Sequence, residues 1–514
     1  MKQKRAARFL LVISFIFFFN LSIQAQKEEF DIIIENGRIM DPLTRANFIG
    51  LVGIKDGTIV EIVPLNSNQT QRKKLKGDIT IDAKGLVVAP GFIDIHTHEG
   101  ILSLTMESFI KDGRTTMIGG NCGGSAPQLE RFFRSLERRG CLINYASFAG
   151  HGSLRMRVGA KDRYSSATEE QIEEMVTFLE EEMKAGALGV SYGIHYIPGS
   201  SYDEILRLAQ VSAKYGGMTA AHGRYGESTH LAVYSLYEMV RLTKDTGIPH
   251  QYSHFGSMLG YGDVMDEALD LLEFAQSKGL RILADIYSYA AWNTGVGAAI
   301  LDEGFFERMQ CKPEDLEVLS TVVIDGKVVM KAGQRFTQEL YDLIRPKVLA
   351  REIPDPAVIG HVIKPEKIKL AMQSPYVVCG SDGVLYKDPH TKKPVAHPRA
   401  TNNFARFLGH WVREKGTVDL MTALFKTSTQ SAIHLGLVNK GRIAVGADAD
   451  ITIFNPDTII DNGEYGEGFI NPPVGIESVI VNGVLSVKNG ELIPEVKAGK
   501  VIRRTWKIPG YSKE

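Results

Sequence analysis

The stretch Val87–His98, Val-Val-Ala-Pro-Gly-Phe-Ile-Asp-Ile-His-Thr-His, is the part of the sequence on which the fold prediction depends. A mostly apolar run of this length is typical of a buried strand. Side chains two residues apart on a strand point to the same face, so His96 and His98 are expected to project together from its C-terminal end. Pro90-Gly91 is expected to mark the start of the strand, where a missing amide donor costs least. The two imidazoles predict a metal site.

Length and charge exclude several classes of protein. The chain has 514 residues, of which 44% are hydrophobic and 23% charged, which predicts a large core and more than one domain. The net charge is −1, so neither nucleic acid nor an anionic membrane is expected as a partner. Four cysteines are too few for a disulfide-built scaffold, and free buried thiols are expected.

The N-terminus has the pattern of a secretory signal peptide. Four basic residues within the first eight positions precede the apolar run Phe9–Phe19, and the small residue Ala25 closes the segment. The apolar run is too short for a stable membrane anchor. We therefore expect residues 1–25 to be removed and the mature chain, from about Gln26, to work in the periplasm or outside the cell.

Both ends of the mature chain are rich in short β runs. Asn36-Gly37, Asp56-Gly57 and Asn482-Gly483 follow such runs and are strong signals for hairpin turns. This pattern predicts one small β domain that is built from residues 26–87 and 437–514.

The middle of the chain, residues 88–436, alternates predicted strands with amphipathic stretches such as Glu169–Lys184 and Asp263–Lys278. This pattern is typical of a parallel α/β fold, and eight candidate strands predict a TIM-like (β/α)₈ barrel. An insertion at about residues 291–374, with its own Asp325-Gly326 turn, is expected to cover the site. The candidate strands end at His98, Cys122, Gly150-His151, Ser191-Tyr192, His222, His254, Tyr287 and Asp382.

Residues that bind zinc occur at five of these strand ends. Imidazole, thiolate and carboxylate are the ligands that zinc prefers, and active sites of such barrels lie at the C-terminal ends of the strands. Each residue alone has an ordinary explanation, such as a buried thiol, a histidine bonded to a carbonyl, or a turn aspartate. Together they predict a metal centre, formed by His96, His98, Cys122, His222, His254 and Asp382.

Several dispersed motifs resemble the amidohydrolase superfamily and, within it, the N-acyl-D-amino-acid deacylases, or D-aminoacylases. The resemblance covers about residues 30–488. The superfamily motifs are the His96-Thr97-His98 strand and the run 441–450, Gly-Arg-Ile-Ala-Val-Gly-Ala-Asp-Ala-Asp. The deacylase motifs are Gly120-Asn121-Cys122-Gly123, Gly189–Gly193, Tyr196–Gly199, Ser253-His254, Gly380–Gly383 and His397-Pro398-Arg399.

The resemblance implies roles for the site residues. Many relatives bridge two metals with a carboxylated lysine on strand four, but Gly186–Gly193 contains no lysine, and Cys122 is implied as the bridging ligand. Asp382 is implied as the catalytic acid and base. The implied tight zinc site consists of Cys122, His222 and His254, and a second, weaker site consists of His96, His98, Cys122 and Asp382.

The implied substrate contacts include one departure from the family. Relatives carry a Ser-His-x-Lys run whose lysine helps to bind the substrate carboxylate, but this chain has Gly256 in place of the lysine. Arg399 and Tyr287 match the family's other carboxylate contacts, and Arg224 matches as well and is expected to compensate. A surface ion pair or a packed ring is the alternative for each.

The sequence therefore predicts an exported zinc-dependent hydrolase that cleaves the amide bond of an N-acyl-D-amino acid to a D-amino acid and a carboxylate. The expected partner is a small acylated amino acid or a short D-peptide. A metal-dependent cyclic amidase of the hydantoinase or dihydroorotase kind and a D-residue dipeptidase remain alternatives. A non-enzymatic binding protein on the same fold is a further alternative, although such a protein is expected to have lost metal ligands.

Overall fold

The computed structural model describes residues 29–65, 76–100, 102–224 and 230–505. The predicted signal peptide, residues 1–25, lies outside these ranges. Among the helices of the described ranges, none combines the length and the apolar character that crossing a membrane requires.

The described chain alternates strands and helices through its middle and is β-rich at both ends. The strands are β1 (Glu29–Asp41), β2 (Ala46–Lys55), β3 (Thr58–Pro64), β4 (Lys76–Asp82), β5 (Val87–Pro90), β6 (Phe92–Asp94), β7 (Arg114–Gly119), β8 (Asn144–Ser147), β9 (Ala149–Gly150), β10 (Gly189–Gly193), β11 (Met218–His222), β12 (His250–Tyr252), β13 (Ile282–Ile286), β14 (Trp292–Gly295), β15 (Leu316–Val318), β16 (Val322–Ile324), β17 (Lys327–Met330), β18 (Ala357–Gly360), β19 (Val377–Cys379), β20 (Tyr386–Lys387), β21 (Pro394–Val395), β22 (Ile451–Phe454), β23 (Ile476–Val481), β24 (Val484–Lys488) and β25 (Glu491–Leu492). The α-helices are α1 (Leu102–Lys111), α2 (Leu129–Arg139), α3 (His151–Arg157), α4 (Glu169–Ala185), α5 (Tyr202–Lys214), α6 (Ala232–Thr246), α7 (Phe255–Leu259), α8 (Met265–Ser277), α9 (Phe305–Met309), α10 (Gln338–Leu349), α11 (Pro365–Gln373), α12 (Arg399–Arg406), α13 (Leu420–Leu424) and α14 (Gln430–Leu435). Short 3₁₀ or π segments are Ala299–Leu301, Pro313–Asp315, Phe407–Glu414, Phe425–Thr429 and Gly466–Ile470.

One nine-stranded sheet joins the two ends of the chain. Its order is β25-β24-β23-β22-β5-β1-β2-β3, and β4 pairs with β1 outside this path. The two halves meet where β22 pairs antiparallel with β5, with Ile453 opposite Val88. Alternate residues of these strands, such as Ile32 and Ile34, are buried in a core that both ends supply. The domain bounds at residues 87 and 437 stay a prediction.

The hairpin predictions have different outcomes. Asp56-Gly57 connects β2 and β3, and Asn482-Gly483 connects β23 and β24, so both predicted turns are confirmed. The Asn36-Gly37 prediction is wrong, because β1 continues through it with a bulge. Asn36 has φ 60°, and a Cβ on Gly37 would lie 2.4 Å from Cγ2 of Val88. Asn-Gly serves bulges as well as turns, since both require positive φ or close packing.

The stretch Val87–His98 forms two strands instead of the single predicted strand. β5 belongs to the nine-stranded sheet, whereas β6 pairs in parallel with β7. Pro90 therefore ends β5, and Gly91 lies between the two sheets. The prediction that Pro90-Gly91 starts a single strand is wrong. A Cβ on Gly91 would lie 2.2 Å from Oγ1 of Thr115, so only glycine allows the chain to cross at this point.

The middle of the chain is a (β/α)₈ barrel. Parallel strands β6-β7-β8 form one arc, and β9-β10-β11-β12-β13-β19 form the other. Segments β8 and β9 occupy one barrel position, interrupted at Phe148. A parallel bridge from Thr97 to Gly383 joins the first and last positions. The predicted helices Glu169–Lys184 and Asp263–Lys278 correspond to α4 and α8.

The segment between β13 and α11 forms a small lobe. Strands β14, β18 and β15 pair as a three-stranded sheet, and β16 and β17 form a hairpin across the predicted Asp325-Gly326 turn. Helices α9 and α10 complete it. Its strand β14 lines the cavity described below, at Asn293, Thr294 and Gly295.

The N-terminal end of the barrel is closed by buried polar side chains. Nζ of Lys426 donates to the carbonyl oxygens of Ser374 and Val377, the latter at 2.7 Å. Arg504 donates to the carbonyl oxygens of Leu188 and Gly216 from below the neighbouring strands. Burial lowers the pKa of Lys426 to about 8 and that of Arg504 to about 10.

Candidate metal centre

Most of the predicted site residues lie just beyond the strands, whereas His222 is the last residue of β11. β6 ends at Asp94, because the next residues turn to bridge Thr97 to Gly383. His96 and His98 therefore do not alternate on a strand as expected. Their rings nevertheless lie 5.4 Å apart between centroids and meet edge to face. The structure brings both imidazoles to the C-terminal end of the barrel.

A thiol and a carboxylate stand on either side of His96. Sγ of Cys122 lies 3.3 Å from Nε2 of His96 and 3.5 Å from Nε2 of His254. Oδ1 of Asp382 lies 3.6 Å from Nε2 of His96 and 2.9 Å from Nε2 of His98. The ligand atoms of each of two sets fall within 4.8 Å of one another: His96, Cys122 and His254, and His96, His98 and Asp382.

His222 completes the group of six residues. It is the last residue of β11, and its ring lies 4.5 Å from the ring of His254 and 4.7 Å from the ring of Tyr196. Its side chain also contacts Cys122. The division of these residues into a tight and a weak site stays a prediction.

The site favours the ionised forms of its ligands. Burial alone would raise the pKa of Cys122, but His96 and His254 hold that pKa well below its usual range. Burial alone would also raise the pKa of Asp382, but Arg399, followed by His98, holds it well below its usual range. Thiolate and carboxylate are the forms that bind a cation.

Three of these residues have a left-handed backbone conformation, which residues other than glycine rarely adopt. φ is 50° at Cys122, 34° at His254 and 50° at Asp382. Left-handed conformations of residues other than glycine carry strain and occur where the surrounding structure enforces a function. The chain turns sharply after each of these strands and directs its side chain into the barrel mouth.

The donor set suits zinc. Imidazole nitrogen, thiolate sulfur and carboxylate oxygen are the ligands of zinc sites in proteins. Strand β10, at the fourth barrel position, carries Ser191 in its centre and no lysine. Oγ of Ser191 accepts from the amide of Gly123 at 3.1 Å and so fixes the loop that carries Cys122. The residues present therefore fit zinc, and His96 belongs to both ligand sets. The bridging role of Cys122 stays a prediction.

Asp285 is a functional residue that the sequence reasoning missed. Nδ1 of His96 donates to its carboxylate at 3.0 Å, which leaves Nε2 of His96 directed at the site. The backbone amide of His254 and Nε2 of Gln251 donate to the same carboxylate at 2.8 and 2.7 Å. Asp285 is the next-to-last residue of β13, a barrel strand. This position was the only signal that could have identified it.

A second buried carboxylate positions Asp382. Asp94 accepts from the backbone amide of Ser381 at 2.8 Å and from Nη1 of Arg114 at 2.8 Å. Arg114 is fully buried and also bonds to Asp112. A buried network of charged hydrogen bonds of this kind helps to hold a loop in one conformation.

A cavity of about 580 Å³ opens over the metal ligands, and we call it the catalytic cavity. His98, Cys122 and Asp382 form its floor, and Arg399, Glu99 and residues 293–295 form its walls. Oε1 of Glu99 accepts from the hydroxyl of Tyr145 at 2.7 Å and from the amide of Gly120 at 2.9 Å. The volume of the catalytic cavity suits a small substrate.

The three predicted substrate contacts have different surroundings. Arg399 lines the cavity, bonds through Nη2 to Asp382 at 2.7 Å, and stacks 4.4 Å above the ring of Tyr287. Tyr287 is buried beneath it. Arg224 instead bonds to Glu238 and to the carbonyl oxygens of Pro198 and Ser200, and it is absent from the residues that line the cavity. The substrate roles stay predictions, and for Arg224 the described contacts favour a structural role.

The position of the missing lysine is filled by the core. Gly256 lies in α7 and is buried, and a Cβ there would lie 3.4 Å from the side chain of Ile286.

All four cysteines are free thiols.

A parallel barrel with a thiolate, imidazoles and a carboxylate at the C-terminal ends of its strands has the arrangement that metal-dependent hydrolases use. A family model described as Amidohydrolase family matches residues 349–487. A D-aminoacylase of Alcaligenes xylosoxydans xylosoxydans is 29% identical over 94% of this chain and 99% of its own length. The N-acyl-D-glutamate deacylase of the same organism is 27% identical, with the same coverage.

Solved structures agree with these relatives. A D-aminoacylase with a binuclear metal centre matches with a TM-score of 0.79 at 25% identity, covering 92% of this chain and 100% of its own. An N-acyl-D-glutamate deacylase from Bordetella bronchiseptica, with zinc and a phosphonate mimic of the tetrahedral intermediate, has a TM-score of 0.80 at 25% identity, covering 93% and 100%. A D-hydantoinase, at 18% identity, 0.56 and coverage of 92% and 99%, shares the fold. Over nearly its whole length the chain is similar to D-aminoacylases and related deacylases.

Proposed function

We propose that this protein hydrolyses the amide bond of N-acyl-D-amino acids and releases a D-amino acid and a carboxylate, with zinc as its cofactor. One observation carries the proposal: Cys122 joins His96 and His254 at the floor of a cavity that also holds Asp382 and Arg399. The relatives that share the fold over nearly their whole length are deacylases of this kind.

Zinc held by these ligands would polarise the amide carbonyl and lower the pKa of a water molecule to about 7. Asp382 lies beside these ligands and is ionised, so its carboxylate accepts the proton that the attacking water loses. The C–N bond breaks as Asp382 returns this proton to the leaving nitrogen, which departs as an amine. The acyl carbon keeps the oxygen of water and leaves as a carboxylate.

Arg399 supplies the cation for the substrate carboxylate. Its guanidinium is 2% exposed and uses Nη2 for Asp382 and Nε for the carbonyl oxygen of Asp382. Nη1 is buried and bonds to no atom of the described residues. A planar guanidinium with a free donor suits a carboxylate. Arg399 therefore links substrate binding to the residue that moves the proton.

The test is zinc-dependent hydrolysis of a panel of N-acetyl amino acids in both D and L forms, with hydantoin and a D-residue dipeptide as competing classes. We expect cleavage of the D-acyl amino acids, loss of cleavage in the presence of a chelator, and recovery on addition of zinc. Activity on the dipeptide or on hydantoin alone would contradict the proposal, and Gly256 would then mark a change of substrate.

A cyclic amidase is the second candidate, since hydantoinases share the fold. Its carboxylated lysine has no counterpart on β10, where Ser191 bonds to the loop of Cys122 instead. The site therefore favours the linear amide.

We also propose that the protein acts outside the cytoplasm after removal of residues 1–25. The basic start, the apolar run and the small residue at position 25 support this proposal. Expression of the full chain, cell fractionation and N-terminal sequencing test it. A mature protein that starts near Gln26 in the periplasm or medium is expected, and an intact N-terminus in the cytoplasm would contradict it.

A further inference from the structure

A second cavity of about 550 Å³ continues the catalytic cavity outward. Gly124 and Ser153 line both cavities, so the two share one junction. We call the second cavity the outer groove. The residues that line it are Gly123, Gly124, Pro127, Gln128, Gly152, Ser153, Met156 and Arg157.

We propose that the outer groove binds the acyl chain of N-acyl substrates with acyl groups much longer than acetyl. The inference rests on the proposed function and names the substrate class of the same site. The carboxylate of the substrate is expected at Arg399, and the acyl carbon lies over Cys122. The rest of the acyl chain must then extend out of the catalytic cavity. The junction at Gly124 offers a path into the outer groove.

The junction is open because Gly124 has no side chain. A Cβ added there would meet only the carbonyl oxygen of Asn121, at 3.9 Å, and its φ lies outside the left-handed region. Neighbouring glycines differ, since a Cβ on Gly123 would lie 2.7 Å from the amide nitrogen of Gly193. Backbone packing therefore explains Gly123, whereas Gly124 keeps a passage open.

The serine hydroxyls at the junction already have hydrogen-bond partners within the protein. Oγ of Ser153 accepts from the amide of Ser125 at 3.0 Å and donates to the carbonyl oxygen of Ser125 at 2.9 Å. The hydroxyl of Ser125 bonds to the amide of Gly150 at 2.9 Å. These bonds fix the wall and leave carbon atoms to contact the occupant.

The outer end of the groove has one polar and one charged side chain, Gln128 and Arg157. Arg157 lies there, but it pairs with Glu181 at 2.9 Å and stacks 3.5 Å above the ring of Phe178. Met156 is 58% exposed, and its flexible thioether can cover an apolar chain. An uncharged hydrocarbon chain fits this lining better than a peptide with a charged amino terminus.

The test compares kcat/KM for the N-octanoyl and N-acetyl derivatives of one D-amino acid in the zinc-loaded full enzyme. We expect the octanoyl derivative to be favoured by about tenfold or more, because additional methylene groups leave water. Gly124→Leu, which fills the junction, is expected to abolish this preference. Gly124→Ala, the matched control with one added carbon, is expected to keep most of it.

Met156→Asp gives a second variant at an exposed position. It places a charge in the outer groove and is expected to lower the octanoyl preference by several fold. Product inhibition adds a measurement that does not depend on turnover of the longer substrate: octanoate is expected to inhibit cleavage of the N-acetyl substrate more strongly than acetate. This difference is expected to shrink in Gly124→Leu.

The outcomes separate the two proposals. Cleavage of the N-acetyl substrate without any preference for octanoyl would overturn the inference and leave the proposed function standing. An unchanged preference in both Gly124→Leu and Met156→Asp would overturn it as well, as would stronger cleavage of a glycyl-D-amino acid than of the octanoyl derivative. Failure to cleave any acyl amino acid would overturn both proposals.

Discussion

The two ends of the barrel use buried polar groups in opposite ways. At the C-terminal end, Cys122, His254 and Asp382 have left-handed backbone conformations, and Cys122 and Asp382 line an open cavity. At the N-terminal end, Lys426 and Arg504 bond to backbone carbonyl oxygens and are closed off from solvent. The barrel therefore has strained residues that serve function at one end and hydrogen bonds to backbone carbonyl oxygens that serve stability at the other.

The histidines show the same contrast. Asp382 raises the pKa of His98 to about 9, although burial alone would lower it. At the opposite end, burial lowers the pKa of His250 and of His434 to about 3, and no carboxylate opposes it. The comparison teaches that a neighbouring carboxylate decides whether a buried histidine of this barrel is held charged or neutral.

The largest expected effect tests the C-terminal end. Asp382→Asn removes the group that moves the proton, so kcat is expected to fall by about 10²–10⁴. The fold and zinc at Cys122 are expected to remain, which metal analysis and circular dichroism check. Retained kcat would remove Asp382 from the mechanism and weaken the contrast between the two ends.

The next effect concerns metal affinity. Asp285→Asn weakens the hydrogen bond that orients His96, so zinc affinity is expected to fall by about 10–100-fold in a chelator competition. Asp263→Asn, whose side chain is 99% exposed, is the matched control and is expected to change nothing. Equal zinc affinities in the two variants would show that Asp285 does not position the ligands.

A smaller effect is expected at the N-terminal end. Lys426→Met leaves the carbonyl oxygens of Ser374 and Val377 without their donor and is expected to lower the free energy of unfolding by about 1–3 kcal/mol. kcat is expected to stay unchanged. Lys415→Met, at an exposed position, is the control. A loss of kcat in Lys426→Met without a loss of stability would contradict the division between the two ends.

The smallest effect at neutral pH comes from His434. Its pKa is about 3 in the fold and near 6.5 in the unfolded chain, so between these values the unfolded state binds the additional proton. Stability is therefore expected to fall as the pH drops below 6.5 and to be unaffected above it. Denaturant unfolding at pH 7.5, 5.5 and 4.5 measures this slope, which His434→Leu should reduce. Parallel slopes would indicate that His434 is protonated in the fold.

Much of the site could be predicted because its ligands follow recognisable strands. His96, Cys122, His222, His254 and Asp382 each occur where a run of apolar residues ends, and parallel strands end at one edge. Arg224 illustrates the limit, because the sequence marks its guanidinium but not Glu238, which takes its hydrogen bonds. Asp285 was missed for the same reason, since its partners are distant in the sequence.

The sequence by itself determined the alternation of strands and helices through the middle of the chain, the ligand chemistry and the absence of a lysine on the fourth barrel strand, since periodicity and residue type are local properties. Only the tertiary structure decided that Pro90-Gly91 crosses between two sheets, that Asp285 orients His96, and that Gly124 opens one cavity into another. These features depend on distances between residues far apart in the chain, which packing sets and local sequence does not encode.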